Sequence, residues 1–373
     1  MQKTDFRDAI PFWISLTLVA VVILSGYLGG WWMLLTPAYA FWGLAVIDQF
    51  VGLNLEDKNP DTPDDKLFWY RLITIIWFPI QFVLIFGGIA FVSYSDHLQG
   101  SEKWWFMACV GLITGSTGIV YAHELMHQKS KFERHLGDGL MALALYGHFR
   151  SEHLLVHHRY VGTPKDAVTA RYNEGFHRFF PRVLRQSLRS AWDAEKAMLA
   201  RKNLTALHLS NPFWKFAVLQ SLFLLFAIVI AGWFGAALFI VQACIAILLL
   251  EATNYVEHYG LTRKHLGDGK YEHVLPHHSW NSAYKVTNYF LINLQRHSDH
   301  HYKPSRRYPL LQNYLENDAP QLPRAYAVMV AVAFCPPLWK KIMNPRVKAW
   351  RKQFYPDIDD WHAYNKALNP LPK

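Results

Sequence analysis

The chain is poor in cysteine and has no cysteine pair. Its 373 residues include only Cys109, Cys244 and Cys335, which stand apart from one another, and the first two lie inside apolar runs. This spacing excludes a disulfide framework and a cysteine zinc site. Without a CxxC pair the chain also lacks the thiolates of an iron–sulfur centre or a rubredoxin domain, and it carries no flavin fingerprint. Redox chemistry on this chain therefore needs electrons from another protein.

Internal repeats, low-complexity tracts and Gly/Ser linkers are absent as well. The first apolar run is preceded by Asp5, Arg7 and Asp8 and is followed by a second run without a small-residue cleavage site. A removed signal peptide is therefore not expected. These absences predict one membrane domain over residues 1–373.

Apolar residues are abundant and unevenly placed. Hydrophobic residues make up 52% of the chain and aromatic residues 16%, which is high for a soluble protein with a net charge of +10. The apolar residues gather into long runs with the charges between them, as a bilayer requires. The predicted fold class is all-α, a polytopic membrane protein with about six transmembrane helices. The expected spans are roughly 10–28, 31–51, 68–94, 104–122, 213–231 and 233–253.

Basic residues indicate the orientation. The segments 123–212 and 254–373 are rich in Lys and Arg, which mark the cytoplasmic side, so both segments and both termini are expected there. Shorter apolar stretches at 136–149 and 325–339 are too brief to span the bilayer and predict interfacial or buried helices. The connections that carry almost no positive charge are 29–30, 95–103 and 232.

Histidine is distributed very unevenly. The chain has 19 histidines, and most lie after the fourth or the sixth expected span. Nine of them belong to the motifs HELMH, EHLLVHH, NYVEHYG and QRHSDHH. These nine are His123, His127, His153, His157, His158, His258, His297, His300 and His301.

Helical spacing explains the pattern. Residues i and i+3 or i+4 share a helix face, so HxxxH and HxxHH each present two imidazoles at one point in space. The adjacent third histidine of EHLLVHH or QRHSDHH turns about 100° away and can reach a second metal. Four crossings from a cytoplasmic N-terminus bring His123 to the cytoplasmic face, and the hairpin of the last two spans returns His258 to it. All nine imidazoles are therefore expected to meet in one cytoplasmic cap.

The number of ligands favours a two-metal site. Imidazole suits zinc, copper, iron or nickel, so ligand type does not choose the metal. A structural zinc site closes with four ligands, whereas nine imidazoles give two metals about four or five each and leave open positions for O2 chemistry at iron. A zinc transporter or storage site is the non-enzymatic alternative, and its ligands would lie within the spans. We therefore expect two non-haem iron ions.

Acidic neighbours of the histidines are expected to accept hydrogen bonds from the outer ring N–H groups. They are Glu124, Glu152, Glu257 and Asp299. A further cluster, EHVLPHH, repeats the HxxxHH spacing with His273, His277 and His278, but Pro276 breaks helical geometry between them. We expect this cluster to lie outside the ligand set. Isolated histidines such as His177 are expected to be structural.

Five motifs follow one another along the chain: HELMH, EHLLVHH, NYVEHYGL, HHSWNS and LQRHSDHH. In this order they resemble the motifs of the integral-membrane alkane 1-monooxygenase family. The similarity runs from about the second span to residue 312, and LQRHSDHH with NYVEHYG is highly specific. Membrane fatty-acid desaturases and xylene methyl-group monooxygenases share the histidine clusters but differ in these flanking words. The chain departs from the family pattern with Val156 for a glycine, Gln128 for a lysine, and GTPKDA at 162–167 for ATPxDP. Every histidine is present, so metal binding should survive these changes.

The resemblance implies that the nine histidines hold two irons, which use O2 to hydroxylate the terminal methyl of n-alkanes to primary alcohols. It also implies a bacterial inner-membrane location, with the site on the cytoplasmic side, and a rubredoxin-type carrier with its reductase as electron donor. Such carriers are commonly acidic, so basic residues late in the chain are candidates for docking. These are Arg306, Arg307, Lys340, Lys341, Arg346 and Lys348. A xylene-type aromatic methyl monooxygenase and a membrane fatty-acid desaturase are the alternatives.

An apolar tunnel is expected to deliver the substrate, since alkanes partition into the bilayer. Bulky residues of the second and third expected spans are candidates for limiting the length of the alkane. They are Tyr39, Phe41, Trp42, Leu44, Trp77 and Phe78. Ordinary helix packing is the alternative role for each of them.

Overall fold

The computed structural model describes residues 6–366, and these are mostly helical. The helices are α1 (Phe6–Leu28), α2 (Gly30–Val51), α3 (Asp64–Tyr94), α4 (Glu102–Met126), α5 (Lys131–Leu143), α6 (149–160), α7 (Phe176–Ala200), α8 (Pro212–His258), α9 (Lys285–Phe290), α10 (His297–Tyr302), α11 (Tyr326–Ala333), α12 (Pro336–Phe354) and α13 (His362–Asn365). Short 3-10 turns cover Pro276–His278 and Tyr308–Leu310, and β1 (His265–Gly267) pairs antiparallel with β2 (Lys270–Tyr271). The helical fold class is confirmed.

Five helices among the described residues are long and apolar enough to cross a membrane: α1, α2, α3, α4 and α8. The first four correspond to the first four expected spans. The last two expected spans both fall within α8, which contains 47 residues. Its backbone leaves the helical conformation at Ala231 and Gly232, and Gly232 has a φ of 59°.

This break turns α8 into a hairpin. Phe226 and Phe239 lie on either side of it, yet both contact Phe86 of α3, with ring centroids 4.7 and 5.6 Å away. A continuous helix, rising about 1.5 Å per residue, would separate the two residues by about 20 Å. The arms 212–230 and 233–258 therefore fold back on each other. Six crossings remain a prediction, because they require both arms to span the bilayer.

The second arm of α8 packs on α4 with the backbones in contact. A Cβ atom at Gly111 would lie 2.5 Å from the carbonyl oxygen of Gln242, and one at Gly115 would lie 2.9 Å from Cα of Ala246. Small residues four apart permit such close approach in membranes. Because both contacts join residues with the same sequence offset, the two helices run parallel and in register. Their ends, which carry the first histidines and His258, are therefore level with each other.

Buried polar side chains connect the same helices. Gln81 Nε2 donates to Thr114 Oγ1 at 2.7 Å, and this hydroxyl lies 3.0 Å from Gln242 Oε1. Gln242 Nε2 in turn donates to the carbonyl of Leu143 at 2.8 Å. A polar group with a partner on the next helix resists sliding or rotation in an apolar surrounding. These bonds fix α3, α4 and α8 relative to α5.

The remaining segments form a cap over the helix ends. The stretches expected near 136–149 and 325–339 begin with the largely buried helices α5 and α11. Ion pairs attach the cap to the long helices: Glu133 of α5 pairs with Arg71 of α3 and with Arg307, each at 3.1 Å. Helix α7 is amphipathic and buries a stripe of residues three or four apart. This stripe includes Phe179, Val183, Ser187, Ala191 and Glu195.

Candidate metal centre

Histidines from four helices converge where the long helices end. His123 lies in the last turn of α4, His127 follows this helix directly, and His258 ends α8. Helices α6 and α10 bring the other six. These are His153, His157, His158, His297, His300 and His301. The structure thus brings together all nine histidines that the sequence motifs selected.

The nine side chains form two adjacent groups, and within each group the candidate ligand atoms lie within 4.8 Å of one another. The first group consists of His123, His127, His153, His158 and His300. The second group consists of His157, His258, His297 and His301. The rings of His158 and His301, one from each group, have centroids 4.7 Å apart. The arrangement therefore offers two neighbouring positions for metal ions.

Helix α6 distributes its histidines differently from the expected i, i+4 pairing. His153 shares the first group with His158, whereas His157 lies in the second. The cause is a π-helical turn at His153–His157, in which hydrogen bonds join residues five apart and side chains with that spacing align. In α10, an ordinary helix, His297 and His301 share a group as expected. The pairing expectation is therefore wrong for α6 and holds for α10.

The facing ring nitrogens have the spacing of ligands around one metal. In the first group, Nε2 of His158 is 2.9 Å from that of His153 and 3.1 Å from that of His300. In the second group, Nε2 of His297 is 3.1 Å from those of His258 and His301. Two nitrogens about 2.1 Å from a metal and at right angles are about 3.0 Å apart. Among the described residues both groups contain imidazole alone, a donor set that suits iron.

Burial favours the neutral form of His127, His153, His158 and His300. Desolvation lowers the pKa of His127 to about 3. It also holds the pKa values of His153, His158 and His300 well below their usual range, and neighbouring imidazoles add to the effect. A neutral ring offers a lone pair to a metal, whereas an imidazolium does not. The site is therefore ready to accept cations at neutral pH.

Acidic residues contact the outer nitrogens of two histidines. Nδ1 of His157 is hydrogen-bonded to Oδ2 of Asp166 at 3.0 Å, whereas Nδ1 of His297 and Oε1 of Glu257 lie 3.4 Å apart without a hydrogen bond. A carboxylate at Nδ1 fixes the tautomer and leaves Nε2 free to bind metal. The sequence reasoning named Glu257 but missed Asp166, although this residue lies in the GTPKDA segment that follows the second histidine cluster.

The other three acidic candidates are placed differently. Glu124 accepts a hydrogen bond from Gln128 at 2.8 Å, and Asp299 accepts one from Arg306 at 2.7 Å. These two carboxylates fasten the cap instead of a histidine ring, which departs from the expectation. Glu152 is fully buried, and neither of its oxygens has a hydrogen-bond partner within residues 6–366. A role beside the metal ligands remains a prediction for Glu152.

The EHVLPHH cluster is organised around Tyr355. Nδ1 of His278 accepts a hydrogen bond from the backbone N–H of Leu275 at 2.8 Å, so Nε2 carries the proton of the neutral ring. That Nε2 lies 2.6 Å from the hydroxyl of Tyr355, which donates to Glu272. Glu272, His277 and His278 are close enough together to hold a metal, but a protonated Nε2 cannot bind one. The hydrogen bonding is consistent with leaving this cluster out of the ligand set.

An apolar passage leads to the histidines from the long helices. Its inner chamber is bounded by His123, His153 and His297 together with apolar side chains of α4 and α8. Its outer chamber lies between α2, α4, α8, α9 and α11. Residues that border both chambers form a neck between them. These are Gly115, Val120, Thr253 and Leu294.

Two of the six tunnel candidates, Phe41 and Leu44, line the outer chamber. Trp42 instead projects outward and is 54% exposed, and Trp77 is buried against Tyr121 with ring centroids 5.0 Å apart. Tyr39 and Phe78 also make packing or hydrogen-bond contacts with neighbouring helices. The alternative role in helix packing describes Tyr39, Trp77 and Phe78, whereas Trp42 has neither role. The neck residues, which sequence reasoning missed, carry no motif that could have revealed them.

Comparison with known proteins identifies the superfamily to which the chain belongs. Residues 102–333 match the family described as Fatty acid desaturase. This region contains every one of the nine histidines. The apolar helices and the two imidazole groups thus define a multi-pass membrane protein of that superfamily, with a centre compatible with non-haem iron.

Individual relatives identify the family of the chain within this superfamily. The chain is 36% identical to Alkane 1-monooxygenase 2 of Pseudomonas aeruginosa over 91% of this chain and 92% of the relative. It is also 36% identical to Alkane 1-monooxygenase 2 of Alcanivorax borkumensis over 100% of this chain and 97% of the relative. The Xylene/toluene monooxygenase hydroxylase component XylM of Pseudomonas putida is 25% identical over 93% of this chain and 91% of its own length. The chain belongs to the alkane 1-monooxygenase family and is an oxidoreductase of the monooxygenase class, as its motifs predict.

Proposed function

We propose that this protein hydroxylates the terminal methyl group of n-alkanes to primary alcohols, with O2 as oxidant and two irons held by the nine histidines. The observation that carries the proposal is the apolar passage that ends at His123, His153 and His297. Such a passage admits an unfunctionalised chain and brings its end to the imidazoles. The relatives named Alkane 1-monooxygenase 2 support the same substrate class.

The residues present fit two irons. The five imidazoles of the first group would hold one iron and the four of the second group the other. Asp166 would orient the ligating ring of His157 through the hydrogen bond at Nδ1. When bound, the irons supply the O2 activation and the hydrogen abstraction, which side chains cannot perform.

The protein's own contribution is binding, orientation and the exclusion of water. Phe41 and Leu44 would contact the alkane in the outer chamber, and an alkane that reaches the inner chamber would pass between the neck residues Val120 and Leu294. An alkane that passes end first would present its terminal methyl to the histidines. Apolar walls keep water away from the reacting carbon. No side-chain nucleophile or general base is required at the substrate.

We propose further that the chain lies in a bacterial inner membrane with its basic cap in the cytoplasm, where a rubredoxin-type carrier supplies electrons. The docking surface inferred from the sequence needs correction. Arg307 is buried and pairs with Asp64 and Glu133, and Arg306 pairs with Asp299, so neither is free to meet a carrier. Lys340 is only partly exposed, and the outer face of α12 keeps exposed basic side chains as candidates. They are Lys341, Arg346, Lys348 and Lys352.

Metal analysis with Mössbauer spectroscopy on the purified protein tests the centre. We expect two irons per chain in a nitrogen-rich environment. Zinc bound in place of iron in an active preparation would overturn the assignment. Product analysis after turnover with octane tests the reaction, and we expect 1-octanol.

Two related reactions are separate outcomes of the same product analysis. The family description as Fatty acid desaturase corresponds to removal of two hydrogens, and an alkene product would establish it. The similarity to the Xylene/toluene monooxygenase hydroxylase component XylM corresponds to attack on an aromatic methyl group. Preference for toluene over octane in direct competition would establish that reaction instead.

A further inference from the structure

The chain that follows the candidate ligand His258 packs directly on α12. A Cβ atom at Gly260, where φ is 71°, would lie 2.9 Å from Cγ2 of Val347, so this approach requires glycine. Tyr259, between His258 and Gly260, is fully buried, and its ring centroid lies 5.3 Å from that of Trp339. The helix that carries the exposed lysines is therefore in contact with the residues next to a metal ligand.

The hydroxyl of Tyr259 extends this contact toward the surface of α12. It donates a hydrogen bond to Oδ1 of Asn344 at 2.6 Å and accepts one from the backbone N–H of Asn173 at 3.0 Å. Asn344 is partly exposed, and Lys341 and Lys348 lie one turn before it and one turn after it on α12. Residues three or four apart share a helix face, so these two exposed lysines flank the outer end of the contact.

His258 forms the inner end of the contact. It belongs to the second histidine group, and its Nε2 lies 3.1 Å from that of His297. A peptide bond joins it to Tyr259. One hydrogen bond and a run of covalent bonds thus connect the surface of α12 with a ring that would ligate iron.

We propose that Tyr259 is the residue through which electrons enter the metal centre from a one-electron carrier docked on α12. Electrons tunnel more readily through covalent and hydrogen bonds than across gaps between atoms, so a bonded route favours transfer at this point. The inference rests on the proposed function for the carrier and adds the place at which its electrons enter.

The transfer moves one electron at a time and no proton. The carrier loses one electron to the iron of the second histidine group, and Tyr259 is a bridge whose own oxidation state does not change. No bond forms or breaks. Two such transfers supply the two electrons that a monooxygenase uses for each O2.

A surface cleft offers an alternative point of entry. Asp166 borders this cleft and is hydrogen-bonded to His157, a ligand candidate of the same group. Charge favours α12, because this helix has four exposed basic side chains and no acidic residue, whereas Lys165 is the one exposed basic residue that borders the cleft. An acidic carrier is attracted more strongly to the first surface.

Crosslinking of the metal-free protein tests the docking site without turnover. The partner is zinc-substituted rubredoxin, and a carbodiimide joins lysine amines to carboxylates that touch them. We expect adducts at Lys341 and Lys348 that are lost at high salt. Adducts at Lys165 or elsewhere that leave both α12 lysines unmodified would place the carrier away from Tyr259 and overturn the proposal.

Anaerobic mixing of the oxidised, iron-loaded enzyme with reduced rubredoxin measures the transfer itself. At saturating carrier, Tyr259→Phe should slow carrier oxidation about fivefold, because the hydrogen bond to Asn344 is lost. Tyr259→Leu, which also removes the ring, should slow it further. The dissociation constant of the carrier and the iron content should not change. The matched control is Tyr255→Phe, which loses another buried hydroxyl of α8, one that donates to the carbonyl of Glu174 at 2.6 Å, and should stay within twofold of wild type.

Dithionite separates electron entry from a structural role. This small reductant does not need the face of α12, so it should reduce Tyr259→Phe at the wild-type rate. Equal slowing with dithionite and rubredoxin, or equal carrier oxidation in Tyr259→Phe and Tyr255→Phe, would overturn the proposal. Asn344→Leu removes the same hydrogen bond and carries the test if the Tyr259 variants do not fold.

The assay contains neither alkane nor O2, which keeps the proposed substrate out of the test. A wild-type enzyme that oxidises rubredoxin but forms no alkanol would refute the proposed substrate and leave electron entry at Tyr259 intact. A wild-type enzyme that does not oxidise rubredoxin would refute the proposed carrier and this inference with it.

Discussion

Each histidine ring of the candidate centre contacts several others. The centroid of the His300 ring lies 4.4, 4.7 and 4.8 Å from the ring centroids of His123, His127 and His158, respectively. Removal of one ring therefore opens a gap among its neighbours as well as deleting a donor. The first group is therefore expected to lose its metal when any one of these rings is removed.

Substitution of His300 or His127 by alanine should lower iron occupancy from two per chain to about one or less. Turnover should fall by at least about 100-fold, because the loss of a metal ligand costs more activity than the loss of a residue that orients a ligand. Metal analysis and alkanol formation measure the two effects. His177→Ala, on the exposed side of α7, is the control and should keep wild-type iron content. Intact occupancy and turnover in His300→Ala would show that the nine-histidine set is wrong.

The EHVLPHH cluster should behave differently. His277 stacks on Phe354 with ring centroids 4.4 Å apart, and its Nε2 lies 3.1 Å from the hydroxyl of Tyr355. His277→Ala should therefore destabilise the protein by about 1–2 kcal/mol through lost ring packing and hydrogen bonding, yet retain both irons. Thermal unfolding in detergent and metal analysis measure these quantities. Loss of one iron would make His277 a ligand.

Much of the site was readable from the sequence, because metal ligands are restricted to a few residue types at helical spacing. Which of His157 and His158 joins His153 was not readable, since a π-helical turn has the same letters as an α-helical one. Asp166 was missed because its contact with His157 depends on how the chain turns after α6. Such contacts follow from tertiary packing and leave no periodic signal.

At the scale of elements, the parallel contact of α4 and α8 sets the level of the metal site. Gly111→Ala would place a Cβ atom 2.5 Å from the carbonyl oxygen of Gln242 and force the helices apart. We expect this overpacking to cost about 1–3 kcal/mol and to lower iron occupancy. Thermal unfolding and metal analysis would record both changes.

A matched control exists on α3. A Cβ atom at Gly87 would meet only the side chain of Val83, at 3.9 Å. Gly87→Ala should therefore leave stability and iron content near wild type. Equal effects of the two alanine variants would mean that the close contact at Gly111 is unimportant for the centre.

The long helices were predictable because length and apolar composition identify them directly. Which faces of these helices enclose the substrate passage was not predictable. Phe41 and Trp42 are neighbours in sequence and equally bulky, yet only Phe41 lines the outer chamber. The direction of each side chain depends on the rotation of α2 within the bundle, and a helix that is apolar on most sides does not encode its rotation.

At the scale of the whole molecule, the net charge of +10 favours acidic partners. The docking face on α12 predicts that Lys341→Glu and Lys348→Glu raise the KM for the electron carrier about tenfold at low salt, with kcat preserved at saturating carrier. Added salt should raise the wild-type KM as the Debye length falls from ~10 Å at 0.1 M to ~3 Å at 1 M. Steady-state kinetics with varied carrier provide the measurement.

Lys131→Glu is the control for these reversals, because Lys131 is an exposed lysine at the start of α5. It should change the KM for the carrier by less than the α12 variants do. A KM that responds neither to salt nor to reversal at Lys341 and Lys348 would remove α12 as the docking face. The lysines would then serve orientation in the membrane alone.

The outer chamber lies among helices long enough to span the bilayer, and this position determines how the enzyme senses the amount of its substrate. It should respond to the mole fraction of alkane in the lipid phase rather than to the dissolved concentration. In proteoliposomes with fixed enzyme and octane, added inert lipid should slow turnover in proportion to surface dilution. Rates that follow aqueous octane regardless of lipid content would instead indicate entry from water.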